Sequence, residues 1–211
     1  KFVSYIKPEL LVTKPEMINQ LASIGLTGGF MGIESLHQPS RKSIHKGMDI
    51  NRVLDATESL VSKTGAHIAA SFIAGLSGDT EELIRAGDEF LTANQNRLFK
   101  AWFYTPLILL YDKNMSGVSD IDKNPEKFGY KVFDIKPSGF ANWQNDSMNF
   151  SRATEIAIEL SNSADAKAYP AGWFLATAWH VGSTDEDIKN KRLLEHKLGQ
   201  KGILYNHMRV K

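Results

Sequence analysis

The sequence predicts an α/β protein built on a parallel sheet. Two observations carry this: strand-length apolar runs alternate with segments of helical periodicity, and glycines close successive helices. The first element is an extended run, Phe2-Val3-Ser4-Tyr5-Ile6, which leads through Pro8 to a helix opening at Lys14-Pro15-Glu16. Proline fits the first helical position because its missing N–H would be unpaired there anyway. Met17, Ile18, Leu21 and Ala22 share one face of that helix, and Gly25 ends it. Residues 28–34 then read as a short strand whose glycines imply close packing.

A second cycle follows. Residues 39–46 form a short helix, and Ile50, Val53, Leu54, Thr57 and Val61 give a longer one its spacing, closed by Gly65. Residues 67–74 are mostly apolar and of strand length, which suits a strand covered on both faces. The third cycle runs from the turn Gly75-Leu76-Ser77-Gly78 into a helix over 80–93 and a strand over 101–105. Strands joined in this way imply right-handed crossovers. Beyond Pro106 the grammar changes. Residues 111–149, rich in Asp, Asn, Lys, Gly and Pro, read as long connections with short elements. Helices return at 151–161, near 172–180, and at 184–198, where Thr184 is the N-cap and Gly199 the stop. Gly202-Ile203-Leu204-Tyr205 reads as a final strand or a docked tail.

Composition narrows the function. A chain of 211 residues, 42% hydrophobic and 23% charged, has enough apolar surface for a real core in one or two domains. Its net charge of +1 invites neither nucleic acid nor an anionic membrane. No run of about 18 apolar residues is present, and the N-terminal residues do not read as a signal peptide, so a cytoplasmic location is expected. With no cysteine, disulfides, zinc ribbons, a thiol nucleophile and an iron–sulfur cluster ligated from within this chain are excluded. The chain begins at Lys1, directly in a strand-like run, and is expected to be a piece of something longer.

Two segments carry the candidate chemistry. At Gly75-Leu76-Ser77-Gly78-Asp79-Thr80, a strand, a glycine-rich turn and a helix start place backbone N–H groups where they can meet a ligand's polar atoms. The same residues serve as an ordinary capped turn, with Asp79 or Thr80 as the cap. No Lys-Ser or Lys-Thr pair follows, so it is not a Walker loop, and the Gly-x-Gly-x-x-Gly dinucleotide spacing is absent. At Gly32-Ile33-Glu34-Ser35, a carboxylate and a hydroxyl stand at a strand's C-terminal end, where α/β folds face their ligands. They can bind ribose hydroxyls or an amino group; equally, Glu34 can pair with a nearby Lys or Arg while Ser35 caps the following helix. The six histidines form no His-x-x-x-His or His-Glu-x-x-His pair, so neither a metal site nor a metal-borne catalytic residue is assigned. A Ser-His-Asp triad can be assembled on paper, but no Gly-x-Ser-x-Gly elbow positions its serine.

Taken in order, these segments resemble a known family. Ser4-Tyr5-Ile6-Lys7-Pro8-Glu9-Leu10-Leu11, Met17-Ile18-Asn19-Gln20-Leu21-Ala22-Ser23-Ile24-Gly25-Leu26, Met31-Gly32-Ile33-Glu34-Ser35, His45-Lys46-Gly47-Met48 and Phe72-Ile73-Ala74-Gly75-Leu76-Ser77-Gly78-Asp79-Thr80 look like the middle of a radical S-adenosylmethionine (radical SAM) domain. The resemblance spans roughly residues 2–105. It implies a TIM-like partial (β/α) barrel of six strands, of which this chain supplies about the last four over 1–106. A loop-rich and mostly helical extension over 107–211 would follow. It further implies that Glu34 and Ser35 contact the ribose or methionine moiety of S-adenosylmethionine. Ser71, Ile73 and Gly75 would lie beside the adenine, with Leu76 close by and Tyr104 completing that side. Tyr5 and Lys7 would approach the methionine carboxylate or the substrate.

The departures are a missing motif and two substitutions. The family's three-cysteine motif, which holds a [4Fe–4S] cluster, lies upstream of the matching region and is not in this chain, and Ser77 and Asp79 stand where proline and glutamate are usual. The resemblance therefore implies the C-terminal portion of a radical enzyme, inactive alone, whose cluster comes from an N-terminal region or a partner chain. Trp143-Gln144-Asn145-Asp146-Ser147-Met148 with the helix after it is similar to tails of cobalamin-binding radical enzymes, which brings in cobalamin as a further cofactor. Tyr169-Pro170-Ala171-Gly172-Trp173-Phe174 and Trp179 are a candidate substrate wall, or aromatics packing a helical subdomain. The substrate, a small molecule or a peptide, is not assigned. Two other readings stand beside this one: a cluster-free module binding a phosphate or nucleotide at 75–80, and a degenerate barrel that docks a partner across its open edge.

Overall fold

The computed structural model describes residues 1–110, 119–136 and 140–162, together with Thr184 and Glu186. Four strands, β1 (Phe2–Tyr5), β2 (Leu26–Glu34), β3 (His67–Ala74) and β4 (Ala101–Pro106), form one sheet in the order β1-β2-β3-β4. Every pair is parallel. Helices α1 (Pro8–Thr13) and α2 (Glu16–Ser23) join β1 to β2. Helices α3 (Gln38–Ser43) and α4 (Ile50–Thr64) join β2 to β3, and α5 (Glu81–Ala93) joins β3 to β4.

The helices start and stop where their chemistry dictates. Asp49 accepts a hydrogen bond from the Arg52 N–H at 3.1 Å to open α4, and Gly65 closes it in the left-handed region at φ 64°. Thr80 caps α5 by accepting from the Leu83 N–H at 3.2 Å, while Glu81 and Glu82 complement the dipole of the first turn. Of the two candidate caps, then, Thr80 serves and Asp79 does not. Pro15 stands at the N-cap of α2 rather than inside its first turn. The short helix α1, absent from the sequence reading, begins at Pro8 itself.

The sheet's two faces differ. Met31, Ile33, Ile68, Ala70 and Phe72 are buried, and the hydroxyl of Thr57 on α4 reaches Met31 Sδ at 3.7 Å, which marks the helix-covered side. On the opposite face Tyr5 meets Phe30 edge-on at 5.2 Å, and Phe30 stacks with Phe103 at 6.0 Å.

The short elements expected beyond Pro106 pair into an antiparallel sheet that the sequence did not disclose. Its order is β5-β7-β6, from β5 (Leu109–Leu110), β6 (Lys131–Phe133) and β7 (Phe140–Gln144). Between β5 and β6 lie α6 (Asp120–Lys123) and a 3₁₀ turn (Pro125–Phe128). Helix α7 (Phe150–Asn162) follows and lies along β4. There the Ser161 hydroxyl accepts from the Tyr104 N–H at 3.0 Å and donates to the Tyr104 carbonyl at 3.2 Å. The expected helices near 172–180 and 184–198, the run 202–205 and the aromatics at 169–174 and 179 lie outside the described residues, Thr184 and Glu186 excepted.

Candidate functional site

The candidate residues gather at the C-terminal ends of the parallel strands. Strand β2 ends in an irregularity between Gly32 and Glu34, and Glu34 takes φ 72°, a conformation that side chains avoid. Lys46 stabilises this end: its ammonium donates to the Gly32 carbonyl and lies 3.4 Å from Glu34 Oε1. The Glu34 side chain keeps about a fifth of its surface exposed. Burial raises its pKa, and the charge and hydrogen bond of Lys46 partly offset that.

Ser35 is committed elsewhere. Its hydroxyl accepts from the His37 N–H at 3.0 Å and donates to Asp79 Oδ1 at 3.2 Å. It is buried and ties the end of β2 to the turn after β3. Asp79 is 1% exposed, and its Oδ2 has no hydrogen-bond partner among the described residues. Desolvation pushes its carboxyl up from 3.8 to about 6, against the hydrogen bonds from Ser40 and Ser35 that favour the anion. His37 Nδ1 shares a hydrogen bond with Ser40 Oγ at 2.9 Å and lies 3.8 Å from Asp79 Oδ1. A serine, a histidine and an aspartate therefore do meet, but serine and aspartate crowd the same ring nitrogen. A triad needs them on opposite nitrogens, and Ser40 is fully buried. The cluster is not hydrolytic.

A small cleft opens beside these groups, lined by Glu34, Ser35, Ile73, Asp79, Phe72 and Tyr104, among others. Tyr104 reaches it from the helix-covered side: its ring lies 5.4 Å from Phe72, and its hydroxyl faces Asp88 of α5. Burial first, and then Asp88, hold that phenol above its ordinary pKa. Ser71 sits level with Gly32 on β2 and Phe103 on β4, which puts it on the aromatic face with Phe30. Tyr5, 63% exposed, stands at the C-terminal end of β1, and Lys7 precedes α1.

Gly75 and Leu76 stand apart from the cleft. The Gly75 carbonyl accepts from Tyr130 Oη at 2.8 Å and from Asn145 Nδ2 at 3.3 Å. A Cβ at Gly75 would run into the Trp143 indole, whose Nε1 donates to the Leu107 carbonyl at 2.8 Å. The second sheet is thus seated on the glycine turn, and Leu76 is wholly buried. Tyr130 and Asn145 were not legible as partners of the turn, because nothing local in the sequence links them to residues 55 and 70 positions away.

Among the described residues no group of three or more His, Cys, Asp or Glu side chains gathers to hold a metal ion, and no helix is long and apolar enough to cross a membrane. The chain has no cysteine with which to ligate a cluster. For a nucleoside-bearing cofactor the residues fit in part: Glu34 lines the cleft with its side chain about a fifth exposed and its carboxylate beside Lys46, whereas the hydroxyl of Ser35 is already spent.

No protein-family model matches the sequence, and no curated protein matches it. Solved structures do share its fold. One is the radical S-adenosylmethionine methyltransferase TsrM of Kitasatospora setae with tryptophan substrate and a SAM analog bound, at TM-score 0.56 and 13% identity, covering 94% of this chain and 46% of that one. Another is the archaeal Methanocaldococcus infernus Elp3, at TM-score 0.54 and 15% identity, covering 79% of this chain and 34% of that one. At such identities the likeness is one of fold: the α/β chain carries a four-stranded portion of the partial barrel that such proteins contain. It spans less than half the length of either.

Proposed function

We propose that the chain is the C-terminal portion of a radical SAM enzyme, completed by a region that carries the [4Fe–4S] cluster. The observation that carries this reading is the asymmetry of the sheet. Strand β4 lies along α7, where Ser161 occupies both backbone groups of Tyr104, whereas β1 has a strand neighbour on one side only among the described residues, so β1 is the edge to which further strands would join. The cluster, when bound, supplies the electron that cleaves S-adenosylmethionine. The work of this chain is to hold that molecule. Glu34 would accept hydrogen bonds from its ribose hydroxyls or amino group, with Ser71 and Ile73 on β3 beside the adenine and Tyr5 and Lys7 toward the methionine end or the substrate. Ser35 ties the end of β2 to the turn after β3 rather than touching the ligand, Tyr104 shapes a wall of the cleft, and Gly75 and Leu76 seat the second sheet behind it. Cobalamin and a cytoplasmic location belong to the same reading. The substrate is left open.

The phosphate-binding reading of residues 75–80 is the weaker one. A phosphate there would meet the buried carboxyl of Asp79, and Trp143, Tyr130 and Asn145 of the second sheet's region already pack on the turn at Gly75. The coding frame upstream of the Lys1 codon tests the proposal. Three closely spaced cysteines in a strand–helix pattern are expected, followed by release of 5′-deoxyadenosine from a reconstituted preparation containing both regions. Glu34→Ala should weaken S-adenosylmethionine binding by about tenfold, the loss of a hydrogen bond to a charged group. A frame with no such cysteines, and no cysteine-bearing partner beside it, would overturn the reading in favour of a docking domain.

A further inference from the structure

Arg41 has no part in the reading above, and its side chain is entirely buried. A guanidinium offers five donors, no acceptor and a permanent charge, so its burial must be answered by acceptors. Two of them are backbone carbonyls. Arg41 Nη1 donates to the Ile33 carbonyl at 2.5 Å and to the Ser35 carbonyl at 3.4 Å. These carbonyls flank Glu34, the residue at φ 72°. The third neighbour is loose: Nη2 lies 3.5 Å from Glu9 Oε1 on α1, and neither Arg41 Nη2 nor the Glu9 oxygens complete a hydrogen bond. From the other side Lys46 takes the Gly32 carbonyl. The end of β2 therefore finishes on two cations instead of continuing its ladder.

We infer that Arg41 is a positioning residue: by gripping the carbonyls on either side of Glu34 it holds that backbone in the left-handed turn, which sets the carboxylate over Gly32 and beside Lys46. A second role for Arg41, packing α1 through Glu9, makes a different prediction, because Glu9→Gln would then disturb the site as much as a change at Arg41. The functional half of the inference rests on the proposed role of Glu34; the conformational half does not.

Isotope-labelled chain tests it directly. The amide–Hα coupling and carbon shifts of Glu34 report a left-handed residue in the parent. Arg41→Lys keeps the charge but reaches one carbonyl instead of two, and should return Glu34 to extended values while the Trp102 and Trp143 indole signals stay in place. Glu9→Gln should leave Glu34 left-handed. A folded Arg41→Lys chain whose Glu34 remains left-handed overturns the inference. If Arg41→Lys does not fold, Glu34→Gly in the same chain should restore folding, since glycine takes this conformation freely; failure to restore it also overturns the inference. In a preparation that includes the cluster-bearing region, Arg41→Lys should raise KM for S-adenosylmethionine about tenfold. A displaced Glu34 with unchanged KM would remove Glu34 from the ligand site and leave the grip of Arg41 standing.

Discussion

At the scale of single residues, the buried carboxyl of Asp79 sets a pH dependence with a definite sign. Unfolded, it ionises near 3.8; folded, near 6, so between those values the native state holds a proton that the unfolded chain has released. Its contribution to stability is complete below pH 3.8 and lost as the pH rises through about 6, a decline worth at most about 3 kcal/mol. Asp79→Asn should flatten that decline in unfolding curves taken from pH 4 to 7, and a variant retaining the parent's slope would assign the titration elsewhere. Gly75 is the second residue whose identity is fixed, by its φ of 95° and by the indole of Trp143. Gly75→Ala should cost about 2–4 kcal/mol in chemical denaturation; a loss within error would mean that the second sheet is not seated on the turn. The position of Glu34 at a strand end was legible in the sequence, and so was a lysine within its reach. Arg41 was not, because an arginine in a short polar helix reads as solvated until the fold buries it.

At the scale of elements, α7 docks by burying Ala153, Ile156, Ala157 and Leu160, and polar contacts fix where it lies. Ser161 supplies a partner for both backbone groups of Tyr104, and Arg85 and Arg152 reach from α5 and α7 to share the carboxylate of Glu81, with Glu159 completing the set. The ion pairs are exposed and weaken with salt. Ser161→Ala should therefore be felt: about 1–2 kcal/mol of stability, together with faster exchange of the Tyr104 amide. Unchanged exchange at that amide would show that α7 does not close the edge. The elements most legible in the sequence were those long enough to show a period or an unbroken apolar run. Helix α4 showed its spacing and its Gly65 stop, though not its Asp49 cap, and β3 fell where its apolar run lies. Those missed were too short to show a period: α1 has six residues, and β5 and β6 have two and three. Pairing, not local preference, makes strands of such segments.

At the scale of the whole molecule, the order of the parallel strands followed from successive strand–helix units, because sequential strands joined by helices lie side by side. What covers their ends did not follow, since the second sheet reaches Gly75 from far along the chain. The order predicts a gradient of opening free energy. Amides of the interior strand β3 should exchange slowest and those of β1 markedly faster, and addition of the cluster-bearing region should slow β1 alone. Equal protection of β1 and β3 would contradict a one-sided β1. Sealing one edge with Ser161 also fixes a stoichiometry. Two copies meeting through β1 would pair antiparallel about a two-fold axis, and each would then have used the open edge of its parallel sheet. Among the described residues the parallel sheet is thus terminated like a polymer with one reactive end, and growth by pairing of its own edges stops at two copies.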